Sequence, residues 1–254
     1  QPLSAPDPLR FSNRSMAVTA ASLTIVQAVV GIPPSSDWAF TSLPAGDFTV
    51  LATGGSQSFT IDPGTYTVTA SVKDGYTIEV DCGNGVTVGS EINLNLLEGD
   101  DVTCTFTATA QPSVIQIVTS VEGVIPDSVW QFTGPTGAFD IPAIGGTVDF
   151  SALTAGNSYT FEESAKSGYA VAVTCDNGDV GANSVTVTPQ PGKTVICTFA
   201  NLAQPGTIRI INNVVGMPPT SDWSFNGPNG AFTLAAAGGT QDFAGLAAGS
   251  SYTF

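Results

Sequence analysis

Four cysteines are the residues of this 254-residue chain best placed for chemistry. Cys82 and Cys104 lie 22 residues apart, and Cys175 and Cys197 keep the same spacing. The first of each pair opens a turn, in Asp81-Cys82-Gly83-Asn84-Gly85 and in Thr174-Cys175-Asp176-Asn177-Gly178. The second sits in a strand-like run, VTCTF or VICTF. A zinc site would need closely spaced cysteines or histidine partners. Neither is present, since the sequence contains no histidine. One disulfide per pair is the expected use, and in the chain-entropy model a loop of this size adds roughly 3 kcal/mol. Four reduced structural thiols are the other reading. Disulfides persist in oxidising compartments, so the expected location is extracellular, at a cell surface.

The remaining chemistry is sparse. Without histidine the usual general base, its nucleophile triads and the commonest metal ligand are gone. The only lysines are Lys73, Lys166 and Lys193. We assign no catalytic residue, no cofactor and no resident metal, and expect no enzyme. The acidic stretches Glu98-Gly99-Asp100-Asp101 and Asp176-Asn177-Gly178-Asp179 offer oxygen ligands but do not fit the twelve-residue calcium loop. Turn chemistry accounts for the Asp-Asn-Gly run. Asn13 begins the only N-x-S/T sequon, Asn13-Arg14-Ser15, a candidate N-glycosylation site.

Charge narrows the partners. Acids outnumber bases 21 to 6, for a net charge of −15, and charged residues make up only 11% of the chain. Nucleic acids and anionic membranes select clustered Lys and Arg, so neither is an expected partner. No apolar run reaches the ~18 residues of a membrane span. The chain starts at Gln1; either a signal peptide has been removed or a longer protein precedes it. A surface of Ser, Thr, Asn, Gly and Gln allows lateral packing against another copy at small desolvation cost.

These cysteines repeat because the chain repeats. Ala110-Gln111-Pro112 recurs as Ala203-Gln204-Pro205, 93 residues on, and the cysteines share that offset. Trp38, Trp130 and Trp223 follow at intervals of 92 and 93. SYTF occurs at 158–161 and at 251–254. The organisation is an N-terminal arm at 1–21, repeats at 22–111 and 112–204, and a partial repeat at 205–254. Each repeat reads as short strands: in the first, Ser22–Val30, Trp38–Ser42, Asp47–Leu51, Gln57–Ile61, Thr65–Ser71, Tyr76–Cys82 and Val102–Ala108. Pro-Gly, Asp-Gly and Asn-Gly turns break them. This is the signature of an all-β antiparallel sandwich or barrel. The joins at Pro112 and Pro205 are short, so the domains are expected end to end with restricted rotation. Each tryptophan opens the second strand and is expected to fill the core or cap its inter-sheet edge; an exposed sugar-stacking platform is the alternative.

The partial repeat carries GTIRIINNVVG, SDWSFNGPNGAFTL and GGTQDFAGLAAGSSYTF; the second continues with YTFEESAKSGYAVAVTCDNG and VTVTPQPGKTVICTFAN. Over residues 22–254 this pattern resembles the prealbumin-like (SpaA-like, Cna B-type-related) modules of bacterial surface proteins. The resemblance implies tandem Ig-like, prealbumin-like sandwiches acting as stalk, spacer or fibre. It also implies a Lys–Asn isopeptide bond between first and last strands, with a nearby acid. Glu162 or Glu163 and Asn201 match the acid and the Asn. The first strands, however, read SLTIVQ, VIQIVT and TIRIIN, ending at Gln27, Thr119 and Asn212. With no lysine there, no isopeptide bond is expected and the disulfide takes over as staple.

The functional expectation is an extracellular structural repeat protein of a cell-surface stalk or filament. The alternative is an adhesin whose loops bind glycan or a surface protein. The partial repeat has half a sandwich. Further repeats in a longer chain are the simpler completion; strands from another copy are the second. Phe11, Met16 and Val18 make the arm either an unattached tail or a donor strand for a neighbour's sheet edge.

Overall fold

A computed structural model describes residues 18–41 and 46–254. Phe11, Asn13 and Met16 lie outside the described residues. The described residues form two compact units, divided between Gln111 and Pro112. The first carries nine strands: β1 (Ala21–Val30), β2 (Trp38–Thr41), β3 (Phe48–Val50), β4 (Gly55–Ile61), β5 (Gly64–Ala70), β6 (Tyr76–Asp81), β7 (Val86–Val88), β8 (Glu91–Leu96) and β9 (Asp101–Ala110). They form two sheets, ordered β4-β1-β9-β6-β7 and β3-β2-β5-β8.

The second unit repeats this plan with β10 (Ser113–Glu122), β11 (Trp130–Gly134), β12 (Gly137–Ile141), β13 (Gly146–Leu153), β14 (Tyr159–Glu163), β15 (Tyr169–Cys175), β16 (Val180–Gly181), β17 (Ser184–Val187) and β18 (Thr194–Ala203). Their order is β13-β10-β18-β15-β16 and β12-β11-β14-β17. Four further strands belong to the same unit: β19 (Gly206–Asn213), β20 (Trp223–Gly227), β21 (Gly230–Leu234) and β22 (Gly238–Leu246). They form two separate pairs, β19-β22 and β20-β21.

Period-two patterning explains the layers. Along β1 and β10 every second residue is buried, with Leu23, Ile25, Ile115 and Ile117 fully so. The last strands answer with Cys104, Phe106 and Ala108, and with Cys197, Phe199 and Asn201. Between the sheets Phe40 meets Phe106 edge-on at 5.2 Å, and Phe132 meets Phe199 likewise at 5.1 Å.

One pairing departs from the antiparallel expectation. First and last strands run parallel, β1 with β9 from Ser22↔Asp101 to Val30↔Thr109, and β10 with β18 from Val114↔Thr194 to Glu122↔Leu202. A parallel neighbour needs a long crossover, here the rest of the repeat, so local sequence cannot reveal it. The sequence reading also passed over β7 and β8. Glu91, Asn93 and Asn95 are poor strand formers, yet they occupy the solvent face of β8, opposite Thr69, Thr67 and Thr65.

Candidate functional site

The disulfides follow from register. Antiparallel pairing puts Asp81 opposite Thr105, which brings Cys82, one residue on, opposite Cys104. In the second repeat Cys175 and Cys197 are themselves a cross-strand pair. Both pairs are bonded, with Cα atoms 4.0 Å apart. Cys104 and Cys197 also face Ile25 and Ile117 in the parallel ladders. Each staple therefore locks the strand that grips the first strand.

A second polar feature lies in the core of residues 112–204. Glu163 closes β14 and is 1% exposed. Its Oε1 accepts a hydrogen bond from Asn201 Nδ2 at 2.9 Å, across the two sheets. Burial pushes the Glu163 carboxyl up to about 7, against the lowering pull of the Asn201 bond and the Lys166 charge. Glu162 is exposed. Thr119 is buried on β10 with an unpartnered Oγ1, and Glu163 Oε2 is likewise unpartnered. Gln27 occupies the same position on β1, is buried, and donates from Nε2 to Ala28 O at 2.9 Å. In the first repeat the residues matching Glu163 and Asn201 are Ala70 and Ala108, both buried, so the acid–amide pair belongs to the second repeat.

The tryptophans of the two full repeats are core residues. Trp38 is 0% exposed and Trp130 is 1% exposed. Their Nε1 groups donate to Ala52 O and Ala143 O at 3.2 and 3.0 Å. Tyr76 and Tyr169 meet them edge-on. Sequence reasoning missed the lysine over each ring: Lys73 Nζ lies 5.9 Å from the Trp38 centroid and Lys166 Nζ 5.0 Å from that of Trp130. The same ammonium groups bond Ser36 Oγ at 2.9 Å and Ser128 Oγ at 2.7 Å. The signal available was the near-constant separation of Trp and Lys in the two repeats.

Residues 206–254 repeat the first four strands of this plan. Ile208 and Ile210, which match the fully buried Ile115 and Ile117, are only half-buried. Trp223 is 41% exposed. Phe225, Phe232, Phe243 and Phe254 form a row with centroids 4.9–5.2 Å apart, the first pair stacked and the next two edge-on. Within the described residues, β19 pairs only with β22 and β20 only with β21, so each pair carries an open edge. Val18, the described member of the three candidate arm residues, is exposed.

The acidic stretches serve the backbone. Asp100 Oδ2 accepts from Leu97 N at 2.7 Å, and Asp176 Oδ1 accepts from Ile196 N at 3.0 Å. No helix among the described residues is long and apolar enough to cross a membrane.

The family model described as a prealbumin-like fold domain matches residues 19–106 and again 109–199. No curated protein matches the chain. Among solved structures, the Bacillus anthracis TIE protein is 11% identical, with a TM-score of 0.45, over 89% of this chain and 44% of that one. The chain thus spans less than half of that protein's length. The major pilin from Streptococcus pyogenes is 16% identical, with a TM-score of 0.32, over 73% of this chain and 99% of that one. A bacterial adhesin from Mobiluncus mulieris containing intramolecular disulfide, isopeptide and ester bond cross-links is 10% identical, with a TM-score of 0.32, over 68% and 86%.

Proposed function

The chain belongs to the prealbumin-like fold domain family, and from that premise we propose that it is an extracellular structural protein, a subunit of a cell-surface stalk or filament. The observation that carries this reading is the parallel pairing of first and last strands in each full repeat. The chain enters a repeat at the start of its first strand and leaves at the end of its last. In a parallel pair those points are at opposite ends of one ladder. Tension on the chain then loads nine residue pairs in shear, all at once, instead of opening them one by one. The disulfide fastens the last strand to β6 or β15 on its other side. A bond of that kind suits an oxidising, extracellular setting.

Self-association is the partner proposed. The open edges of β19 and β20 accept a strand from a second copy, and the segment containing Phe11, Met16 and Val18 is the proposed donor. The low-charge surface favours side-by-side packing of copies. Electron microscopy of native material tests the reading: regular filaments are expected. Isolated monomers that bind a glycan or surface-protein array would replace it with the adhesin alternative.

A further inference from the structure

Four Asn-Gly steps occur in the sequence: Asn84-Gly85, Asn177-Gly178, Asn226-Gly227 and Asn229-Gly230. At such a step the glycine nitrogen is unhindered and can attack the preceding carboxamide carbon. Whether it does depends on two freedoms. The amide N–H must be out of any hydrogen bond, and the side chain must swing back over its own backbone.

The structure separates the four. Asn177 is held twice, with Nδ2 donating to Asp179 Oδ2 at 2.8 Å and Oδ1 accepting from Asp179 N at 3.1 Å. The Gly178 N–H donates to Cys175 O at 3.0 Å. The same loop is fastened by Cys175 N to Asp179 O at 2.8 Å and Asp176 N to Ile196 O at 3.0 Å. Gly227 and Gly230 are paired with each other in the β20–β21 ladder, which holds the backbone of both remaining steps. The loop from Cys82 to Gly85 is different. Its bond from Gly83 N to Asp81 Oδ1, at 2.8 Å, stops one residue short of Asn84. Among the described residues neither the Asn84 side chain nor the Gly85 N–H has a hydrogen-bond partner, and both residues are exposed.

We propose that Asn84 is a site of spontaneous, irreversible deamidation, selected over the other three steps by its unheld side chain and the free Gly85 N–H, in a loop closed by the Asp81↔Val86 pair and the Cys82–Cys104 bond. The Gly85 nitrogen bonds to Asn84 Cγ and gives up its proton to water. The Cγ–N bond breaks and the nitrogen leaves as ammonia, giving a five-membered succinimide. Water then opens either carbonyl, so the products are aspartate and isoaspartate. The net change is one water consumed and one ammonia released, with no redox partner. The new carboxylate lies in the loop that begins at Cys82, beside Asp81, and adds one negative charge to the first repeat. The second repeat, with the same disulfide and the same Asn-Gly step, is spared.

Peptide mapping by mass spectrometry, after timed incubation of the oxidised full chain at mildly alkaline pH, tests this. Asn84 is expected to convert at least about tenfold faster than Asn177, since three hydrogen bonds must open at the second site. Conversion at Asn226 and Asn229 is expected to be comparably slow. In urea with the disulfides reduced, Asn84 and Asn177 should convert at similar rates. An Asp179→Ala variant should raise the Asn177 rate towards that of Asn84. Equal folded-state rates at Asn84 and Asn177 would overturn the proposal. So would an Asn84 that stays intact in the folded chain while the unfolded chain converts.

Discussion

Among the described residues, Glu163 is the one carboxylate whose burial has a consequence in solution. Its folded-state proton is held up to about 7, whereas an ordinary glutamate releases it near 4.5. Below 4.5 the group is protonated in both states and costs the fold nothing. Between 4.5 and 7 the unfolded chain ionises first, so stability falls as pH rises, by at most about 3 kcal/mol across the window. Above 7 the loss is complete and the curve flattens. Thermal melts of the second repeat within the full chain should show this decline, and Glu163→Gln should remove it while keeping an acceptor for Asn201 Nδ2. A Glu163→Gln variant that still loses stability between pH 4.5 and 7 would show that another group is responsible. The first repeat, with Ala70 and Ala108 at these positions, should lack the decline. In the sequence Glu163 stood beside Glu162 as an equal candidate. Burial chose between them: along β14 the faces alternate, and Glu163 takes the inner one.

Strands differ in how much of themselves they announce. Runs such as YTVTASV carry their inner and outer faces in the residue alternation and were legible. EINLNL was not, because its outer face is made of residues that favour loops. A finer case is the eight-residue β13, which is one residue longer than the matching β4. The surplus is absorbed as a bulge between Ser113 and Ile115, where Ala152 takes a φ of 57°. The partial repeat has the same bulge between Gly206 and Ile208, and there the matching residue is Gly245 with a φ of 74°. Glycine adopts this conformation without the Cβ penalty of about 1–2 kcal/mol, at some cost in unfolded-chain entropy. Ala152→Gly should therefore stabilise the second repeat by about 0.5 kcal/mol, read as a raised urea midpoint at unchanged slope. A lowered midpoint would mean the bulge is unstrained with alanine. The opposite substitution, Gly54→Ala, should cost more than about 1 kcal/mol. Gly54 has a φ of 96°, and an added Cβ would sit 2.7 Å from the carbonyl oxygen of Gln27. Denaturant unfolding of this variant against wild type gives the number.

At the scale of the whole chain the disulfides set how far it extends once a repeat has failed. They lie beside the parallel ladder, not along it, so the first rupture should depend on β1–β9 or β10–β18 and not on the S–S bond. After rupture the chain between the bonded cysteines stays closed, 22 residues in each repeat. Extended chain spans about 3.4 Å per residue, so each closed loop withholds about 75 Å. Pulling the full chain from both ends should give two long extension events, and reduction should lengthen each by about that amount. Rupture force in the oxidised and reduced states should differ much less than the extension does. Reduction should still lower equilibrium stability by about 3 kcal/mol per repeat, because the unfolded chain regains the freedom of the loop. Residues 206–254, where β19 and β20 each keep an open edge among the described residues and Trp223 is 41% exposed, should yield first and at lower force. Occupation of those edges by another copy should raise that force and move Trp223 fluorescence to the blue as the indole leaves water. If reduction leaves both extension events unchanged, the two staples do not bound the unfolded chain and their mechanical role fails.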